Sequence, residues 1–396
     1  MIVGMAGAIL SVAALPISSL RATPGRSLQA LSLLVLHLAA CVAYYLYAQS
    51  NPADANVYYF DKIHADTATF AFGTVFTGKF TLFLRKTLDG SFLECFIFFQ
   101  AIGFWGLMLL MRTFQEIHIK LGTAEGPLST ALLFLPSIQF WTSAIGKDAP
   151  LFLAVSLCTW SVMELRRRLI PFGFGLLIMI LFRAHIALVV VMCLALAAAL
   201  HPKISFGRKV GLLAVTLFGA YLLIGAVANT INVNVADTSS IAGFFQDRGD
   251  VAQRVSGGTT IGDAPVYIRL LTLLFRPFFF DAPNIPGMIA SVENVGSLCL
   301  FFYLVKNIRE IRFLARRVYF LEYCFVFSIV LIALLTMISY NVGLGLRERV
   351  MVFPTLFSLF IAHWAMPRKQ PLTSAPRYPG EYLPYARSAP PLTEVR

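Results

Sequence analysis

The feature that most constrains this chain is a series of apolar segments, many of them close to 20 residues long. About 20 apolar residues are needed for an α-helix to cross the hydrocarbon core of a bilayer. The segments lie at 3–20, 28–48, 92–111, 128–145, 149–164, 169–182, 185–200, 209–228, 284–305, 318–340 and 350–366. Because lipid offers no hydrogen bonds to the backbone, the series predicts an all-α, polytopic transmembrane bundle with about eleven spans.

The composition excludes several classes of protein. Hydrophobic residues make up 58% of the chain and charged residues 13%, whereas a soluble domain has about 45–50% and about 25%. The sequence contains no GxxxxGK[ST] loop, which argues against ATP hydrolysis by this chain. The loops leave no room for a soluble catalytic domain, so any chemistry is expected at a membrane face.

Basic residues set the expected orientation. Cytoplasmic loops carry an excess of Lys and Arg, and with the N-terminus outside, most of the 32 basic residues fall on the inner side. The prediction is therefore N-out and C-in, with outer loops at 49–91 and 229–283. The stretch 265–280 contains Arg269 and Arg276, so it is predicted to be re-entrant or interfacial rather than a full span.

The chain is predicted to have a single folded domain. Residues 1–366 form the transmembrane helical part. Residues 367–396 are rich in proline and poor in large aliphatic residues. This composition is typical of disorder, and the tail is expected to extend into the cytoplasm.

The predicted topology gathers ionisable residues at the outer ends of the spans. Charge near the bilayer is costly and usually marks a functional site. Arginine binds phosphate oxygens bidentately and lysine adds a point charge, so a lipid phosphate is the expected ligand. The candidate binding residues are Lys147, Arg183, His185, Arg276, Arg347 and Arg349. The alternative is that these side chains snorkel to the interface or neutralise neighbouring acids.

The first outer loop supplies candidate catalytic and sugar-binding residues. Asp54 and Asp61 follow a predicted span closely. A carboxylate here can act as general base on an acceptor hydroxyl, or help to hold a divalent metal at a diphosphate. Tyr58 and Tyr59 are candidates for stacking on sugar rings. The alternative is a solvated acidic loop.

Several short motifs resemble one class of bacterial membrane protein. They are Asp54-Ala-x-x-Tyr58-Tyr59, Gly73-Thr-Val-Phe76, Trp141-Thr-Ser-Ala-Ile-Gly-Lys147-Asp148, Arg183, Phe275-Arg276-Pro277 and Leu346-Arg347-x-Arg349. Together they resemble membrane-embedded glycosyltransferases of the C-type fold and the related O-antigen and exopolysaccharide polymerases. The resemblance implies an acidic catalytic residue in the first outer loop, matched by Asp54 with Asp61 as substitute. It also implies that outer-face arginines handle the lipid diphosphate.

The expected function is transfer of a hexose or oligosaccharide from a polyprenyl phosphate or diphosphate carrier. The resemblance places this reaction at the outer face of a bacterial inner membrane, in polysaccharide biosynthesis. The expected partners are the lipid-linked glycan, membrane lipid and other polysaccharide-assembly proteins, with no nucleic acid. No cofactor is required by the sequence, and a divalent metal stays open. Two alternatives stay open as well: a transporter or flippase of lipid-linked glycan, and a non-catalytic subunit of a polysaccharide secretion complex.

Overall fold

A computed structural model describes residues 1–18, 24–60, 71–202, 204–231, 264–282, 285–338 and 342–366. Helix accounts for 84% of the structure, and the described residues contain no strand. The predicted all-α class is therefore confirmed. Asp61, the tail at 367–396 and much of the predicted outer loop at 229–283 lie outside the described residues.

The described residues form a series of α-helices. In chain order they are α1 Ile2–Ala14, α2 Pro24–Ser50, α3 Asp54–Phe60, α4 Thr74–Leu82, α5 Phe92–Leu121, α6 Pro127–Leu133, α7 Pro136–Trp141, α8 Asp148–Val162, α9 Leu169–Leu200, α10 Phe206–Ile231, α11 Val266–Phe275, α12 Ile285–Lys306, α13 Ile308–Arg317, α14 Tyr319–Ile338, α15 Val342–Glu348 and α16 Phe353–Trp364. Short non-α turns continue α1 at Leu15–Ser18, α4 at Phe83–Thr87 and α15 at Arg349–Met351.

Five helices are long and apolar enough to cross a membrane. They comprise Gly25–Ser50, Phe92–Leu121, Leu169–Leu200, Gly287–Lys306 and Tyr319–Ile338. Many large apolar side chains on the outer faces of α2, α9, α10 and α12 are exposed. A soluble monomer rarely exposes so much contiguous apolar surface, so these helices indicate a membrane protein.

The predicted span at 128–145 is not one helix. The structure has two short helices here, α6 and α7, separated before Pro136. Leu135 takes an extended ψ of 127°, because a residue that precedes proline is sterically disfavoured from the helical region. The prediction of one continuous helix is wrong, since hydropathy alone does not register this break.

A sharp bend interrupts α9 at Arg183, between the predicted segments 169–182 and 185–200. The Arg183 backbone is non-helical, with φ −155° and ψ 82°. The two predicted segments therefore form two arms of one bent helix.

Helix α5 forms the centre of the buried core. Its N-terminus carries a capping box, in which Ser91 and Glu94 exchange side-chain and backbone hydrogen bonds. A Cβ added at Gly103 would lie 1.9 Å from the Thr142 carbonyl oxygen, and one at Gly106 would lie 2.8 Å from Phe152. These two glycines let α8 and the turn before it pack directly against the α5 backbone. That turn ends at Lys147 and Asp148.

Candidate functional site

Three consecutive charged residues, Arg347, Glu348 and Arg349, connect the C-terminal part of the chain to several other helices. Arg347 bonds to Asp54 and Asp148, Glu348 to Arg183, and Arg349 to Glu293. Successive residues on a helix point about 100° apart. Three neighbours in sequence therefore reach three different parts of the bundle.

One ionic cluster contains four of the ten sequence-predicted site residues. We call it the site cluster, and it consists of Asp54, Lys147, Asp148, Arg183, Arg347 and Glu348. Its members come from α3, α8, the bend of α9, and α15. Of the charges that the sequence predicts at one face, the structure brings Lys147, Arg183 and Arg347 together with Asp54.

Arg347 is the centre of the site cluster. Its Nη1 donates to Asp54 Oδ2, 293 residues away in sequence, and its Nε donates to Asp148 Oδ2, 199 residues away. The planar guanidinium bonds two carboxylates at once, which an ammonium group does with less geometric fit. This contact joins the beginnings of α3 and α8 to the end of α15.

The two carboxylates on Arg347 differ in their exposure. The Asp148 side chain is 10% exposed and lies in the first turn of α8, where the helix dipole favours an acid. Its Oδ1 is buried and has no hydrogen-bond partner in the described part of the chain. The Asp54 side chain is 51% exposed. The Arg347 charge holds the pKa of Asp54 below its ordinary value, so this carboxylate is ionised.

Of the three cations in the site cluster, Lys147 has the fewest carboxylate contacts. Its Nζ donates to Thr74 Oγ1 at 2.6 Å, and among the described residues no carboxylate oxygen lies within 4.0 Å of it. Burial, together with the nearby cations Arg183 and Arg347, lowers the pKa of Lys147 to about 8. This ammonium group has bonding capacity left for an anionic ligand.

Arg183 reaches the cluster because the helix bends there. Its Nη1 donates to Glu348 Oε1 at 2.6 Å. The bend leaves the Leu181 carbonyl without its helical partner, and the Gly73 N–H bonds to it at 2.9 Å. His185 lies within electrostatic range of Arg183 and Lys147. The bend thus places Arg183 and also docks the start of α4, which carries Thr74.

Arg349, predicted to bind phosphate with the other outer-face cations, lies apart from the site cluster. Its side chain is 4% exposed and bonds to Glu293 at 3.2 Å and to the Leu274 carbonyl at 3.0 Å. Glu293 also accepts a hydrogen bond from the Ser137 N–H at 2.7 Å. The guanidinium is buried within the bundle, where it joins α7, α11 and α12.

Arg276 is also placed apart from the site cluster. It pairs with Asp281 at 2.5 Å, and its side chain is partly exposed. Within the described ranges it makes no ion pair to Asp54, Asp148 or Glu348. The structure thus brings together Lys147, Arg183 and Arg347 but leaves Arg276 outside.

The two predicted sugar-stacking tyrosines are in different surroundings. Tyr58 is 5% exposed and packs beside Gly146, so its ring has no open face for a sugar. Tyr59 donates its hydroxyl hydrogen to the Gly90 carbonyl at 3.1 Å, and Arg85 lies over its ring at 4.8 Å. The stacking role of the two tyrosines stays a prediction, with Tyr58 buried and the Arg85 guanidinium against the Tyr59 ring in this structure.

The site cluster is balanced in charge, whereas the sequence prediction named a cationic pocket. Lys147, Arg183 and Arg347 face Asp54, Asp148 and Glu348. The sequence indicates Asp148 and Glu348 only as neutralising neighbours, and Thr74 only as part of the Gly73-Thr-Val-Phe76 motif. The adjacency of acid and base in both Lys147-Asp148 and Arg347-Glu348 is the pattern that indicates pairing across helices.

No metal site is formed by the residues that the structure describes. No group of three or more His, Cys, Asp or Glu side chains is arranged to hold an ion there. Asp61, the second candidate carboxylate, lies outside those ranges.

Comparison with protein families, curated proteins and solved structures gave no match for this chain. The chemistry must therefore be read from the site itself. Lys147 and Arg347 provide an ammonium and a guanidinium that suit phosphate oxygens. Asp54 provides a half-exposed carboxylate on the same guanidinium. Together these groups can bind an anion and accept a proton beside it.

Proposed function

We propose that this chain is an integral membrane glycosyltransferase or polysaccharide polymerase that uses a polyprenyl phosphate- or diphosphate-linked sugar. The observation that carries the proposal is the bonding of Arg347 to both Asp54 and Asp148, beside Lys147. Acids and bases near the bilayer are energetically costly, so a group of them usually marks a functional site. Here they are gathered from four separate segments of the chain.

The proposed topology places the site cluster at the outer face of a bacterial inner membrane. About eleven spans with N-out and C-in orientation put the basic loops inside. The site cluster lies where α8 begins, and a second group of charges lies where α8 ends. The shorter apolar helices at Ile2–Ile17, Asp148–Val162 and Phe353–Trp364 supply further segments of this bundle.

In the proposed reaction, an acceptor hydroxyl attacks the anomeric carbon of the donor sugar. The new bond joins the acceptor oxygen to that carbon, and the bond from the carbon to the phosphate oxygen breaks. The phosphate leaves with the electron pair, stabilised by Lys147 and Arg347. Asp54 accepts the proton of the acceptor. The lipid-phosphate bond supplies the energy, so no nucleotide site is needed.

A transporter or flippase of lipid-linked glycan is the second candidate, because two helices of the bundle are broken. The bend at Arg183 and the interruption between α6 and α7 are features that transporters use around a binding site. A basic, anion-binding cluster serves either function. The transporter would require Arg347 for movement of the glycan but would leave its covalent structure unchanged.

The decisive experiment is mass spectrometry of lipid-linked glycans from a strain that lacks this chain, complemented with variants. Arg347→Ala is expected to reduce polymer output about 100-fold or more, the usual loss when one stabilising donor is removed. Arg26→Ala is the matched control, because Arg26 pairs with Glu125 at 2.5 Å away from the site cluster. Protein level and membrane insertion are measured in parallel.

The accumulated compound separates the candidates. Complete repeat units on the outer leaflet, without polymer, support a polymerase. A carrier glycan that lacks one residue supports a monosaccharide transferase. Complete units confined to the inner leaflet support the flippase. An unchanged glycan profile contradicts all three and favours a non-catalytic subunit.

A further inference from the structure

The two carboxylates bound to Arg347 are held with unequal strength. Asp148 is buried in the first turn of α8, and its contact with Arg347 is shielded from water. Asp54 is half exposed, so water competes for its contact with Arg347. Exposed ion pairs contribute little to stability, whereas a buried charge that loses its partner is strongly unfavourable. Of the two acids, Asp54 is therefore the one that another anion can replace.

The surroundings of Asp54 fit a phosphate better than a carboxylate. Lys147 donates only to the Thr74 hydroxyl among the described residues. The charges of both Lys147 and Arg183 act on Asp54 in addition to that of Arg347. A phosphate carries more negative charge and more acceptor oxygens than one carboxylate, so it can bond to Arg347 and Lys147 together.

The backbone of α3 is anchored independently of this ion pair. Asn56 Nδ2 donates to the Ala48 carbonyl of α2 at 2.7 Å, and Tyr58 packs into the core. Asp54 can therefore leave Arg347 by rotation of its own side chain while α3 stays in place.

We propose that the Asp54 carboxylate occupies, on Arg347, the position that the phosphate of the lipid-linked donor takes. Binding of the donor then displaces Asp54 and releases it next to the reacting sugar. This inference rests on the proposed function, and it adds that the acid and the phosphate compete for one guanidinium. Without the donor, Asp54 is held as an ion pair and is a poor base.

The test is the affinity of the purified full-length chain, in detergent, for inorganic diphosphate and for farnesyl diphosphate by calorimetry. Asp54→Asn removes the competing charge and is expected to tighten binding about five- to tenfold, equivalent to about 1–1.4 kcal/mol. Asp54→Ser is the second variant, because serine is also favoured at a helix start. Glu125→Gln removes the acid from the Arg26 pair and is expected to leave both affinities unchanged.

Unchanged or weaker binding in folded Asp54→Asn and Asp54→Ser variants would overturn the proposal. Tightening that persists after Arg347→Ala would do so as well, since the competition requires that guanidinium. Stronger binding of farnesyl diphosphate than of inorganic diphosphate identifies a lipid head group as the ligand, and equal binding identifies the phosphate alone. The Asp54 carboxylate is expected to compete with the phosphate for Arg347 in both cases.

The glycan readout separates this inference from the proposed function. If Asp54→Asn tightens diphosphate binding and also stops glycan output, the competition for Arg347 and the role of Asp54 as base are both supported. If it tightens binding while output is unchanged, the competition holds and the assignment of Asp54 as base fails. If output stops without a change in affinity, the proposed function survives and the competition is rejected.

Discussion

The two ends of α8 carry ionic clusters that differ in how completely their members are bonded. At its start is the site cluster. At its end is a group that we call the Glu116 cluster, which consists of Arg112, Glu116, Lys120, Trp160, Glu164 and Arg168. Both contain paired arginines and carboxylates, and both connect α8 to other parts of the bundle.

In the Glu116 cluster, the buried acid is fully satisfied. Glu116 Oε1 accepts from Arg112 Nε at 3.1 Å and Trp160 Nε1 at 2.8 Å, and Oε2 accepts from Arg168 Nη2 at 2.9 Å. Lys120 and Glu164 pair beside it at 3.2 Å. All members come from α5, α8 and the turn that follows α8, so the network fixes two neighbouring helices.

In the site cluster, bonding is incomplete. Asp148 Oδ1 and Glu348 Oε2 are buried without partners among the described residues, and Lys147 bonds to a neutral hydroxyl. Buried polar groups are normally satisfied, and exceptions need an explanation. The comparison indicates that the complete Glu116 cluster stabilises the fold. In the site cluster, the Lys147 ammonium can still donate to an anion, and the two carboxylate oxygens can still accept from a hydroxyl.

The largest expected effect on stability is in the Glu116 cluster. Glu116→Ala leaves Arg112, Arg168 and the Trp160 N–H without their shared acceptor, and loss of one partner from a buried pair costs about 3–5 kcal/mol. We expect a lower midpoint of unfolding in a denaturant titration. Glycan output per folded molecule should stay near the wild-type value, because this cluster does not touch the proposed ligand.

Glu310→Gln is the matched control, because Glu310 pairs with His363 from a largely exposed position. It should shift the unfolding midpoint little. A Glu116→Ala protein that unfolds like the wild type, or one that loses output while fully folded, would contradict the division between a stabilising and a ligand-binding cluster.

The next effect concerns Lys147 and depends on pH. Because burial lowers the pKa of Lys147 to about 8, its positive charge is present below pH 8 and is lost as the pH rises through that value. The positive charges of Arg183 and Arg347 oppose the charge on Lys147, and the negative charges of Asp148 and Asp54 favour it. Relative to Lys147→Arg, the wild-type affinity for inorganic diphosphate should fall about tenfold between pH 7 and pH 9.

The Lys147→Arg variant is the internal reference, since arginine stays protonated across this range and the titration of diphosphate itself is common to both proteins. Parallel pH profiles for the two proteins would show that Lys147 does not bind the anion. A fall in the wild type alone would assign the charge to this side chain.

The sequence predicts the long helices well and the breaks poorly. The apolar runs at 28–48 and 92–111 each lie within a single helix of the structure, and the run at 318–340 contains α14 Tyr319–Ile338. Hydropathy reports burial in lipid, and it does not distinguish a continuous helix from the interruption before Pro136. The proline itself is the local signal for that interruption.

The site was predictable as a gathering of charges but not as a set of pairs. Topology alone brings Lys147, Arg183 and Arg347 to one end of the bundle. Which acid meets which base depends on helix rotation and on contacts between residues as far apart as Asp54 and Arg347. Arg349 shows the limit, because one step along the chain turns its side chain from the site cluster to the buried Glu293.

The smallest expected effect is at Tyr59, and it tests the boundary of the site cluster. Tyr59→Phe removes the hydroxyl that donates to the Gly90 carbonyl at 3.1 Å and leaves the ring under Arg85. One such hydrogen bond is worth about 1 kcal/mol, so the unfolding midpoint should fall slightly. Output and diphosphate affinity should not change, because the hydroxyl is used for packing. Loss of output with normal stability would return Tyr59 to the sugar-binding role and would extend the site along α3.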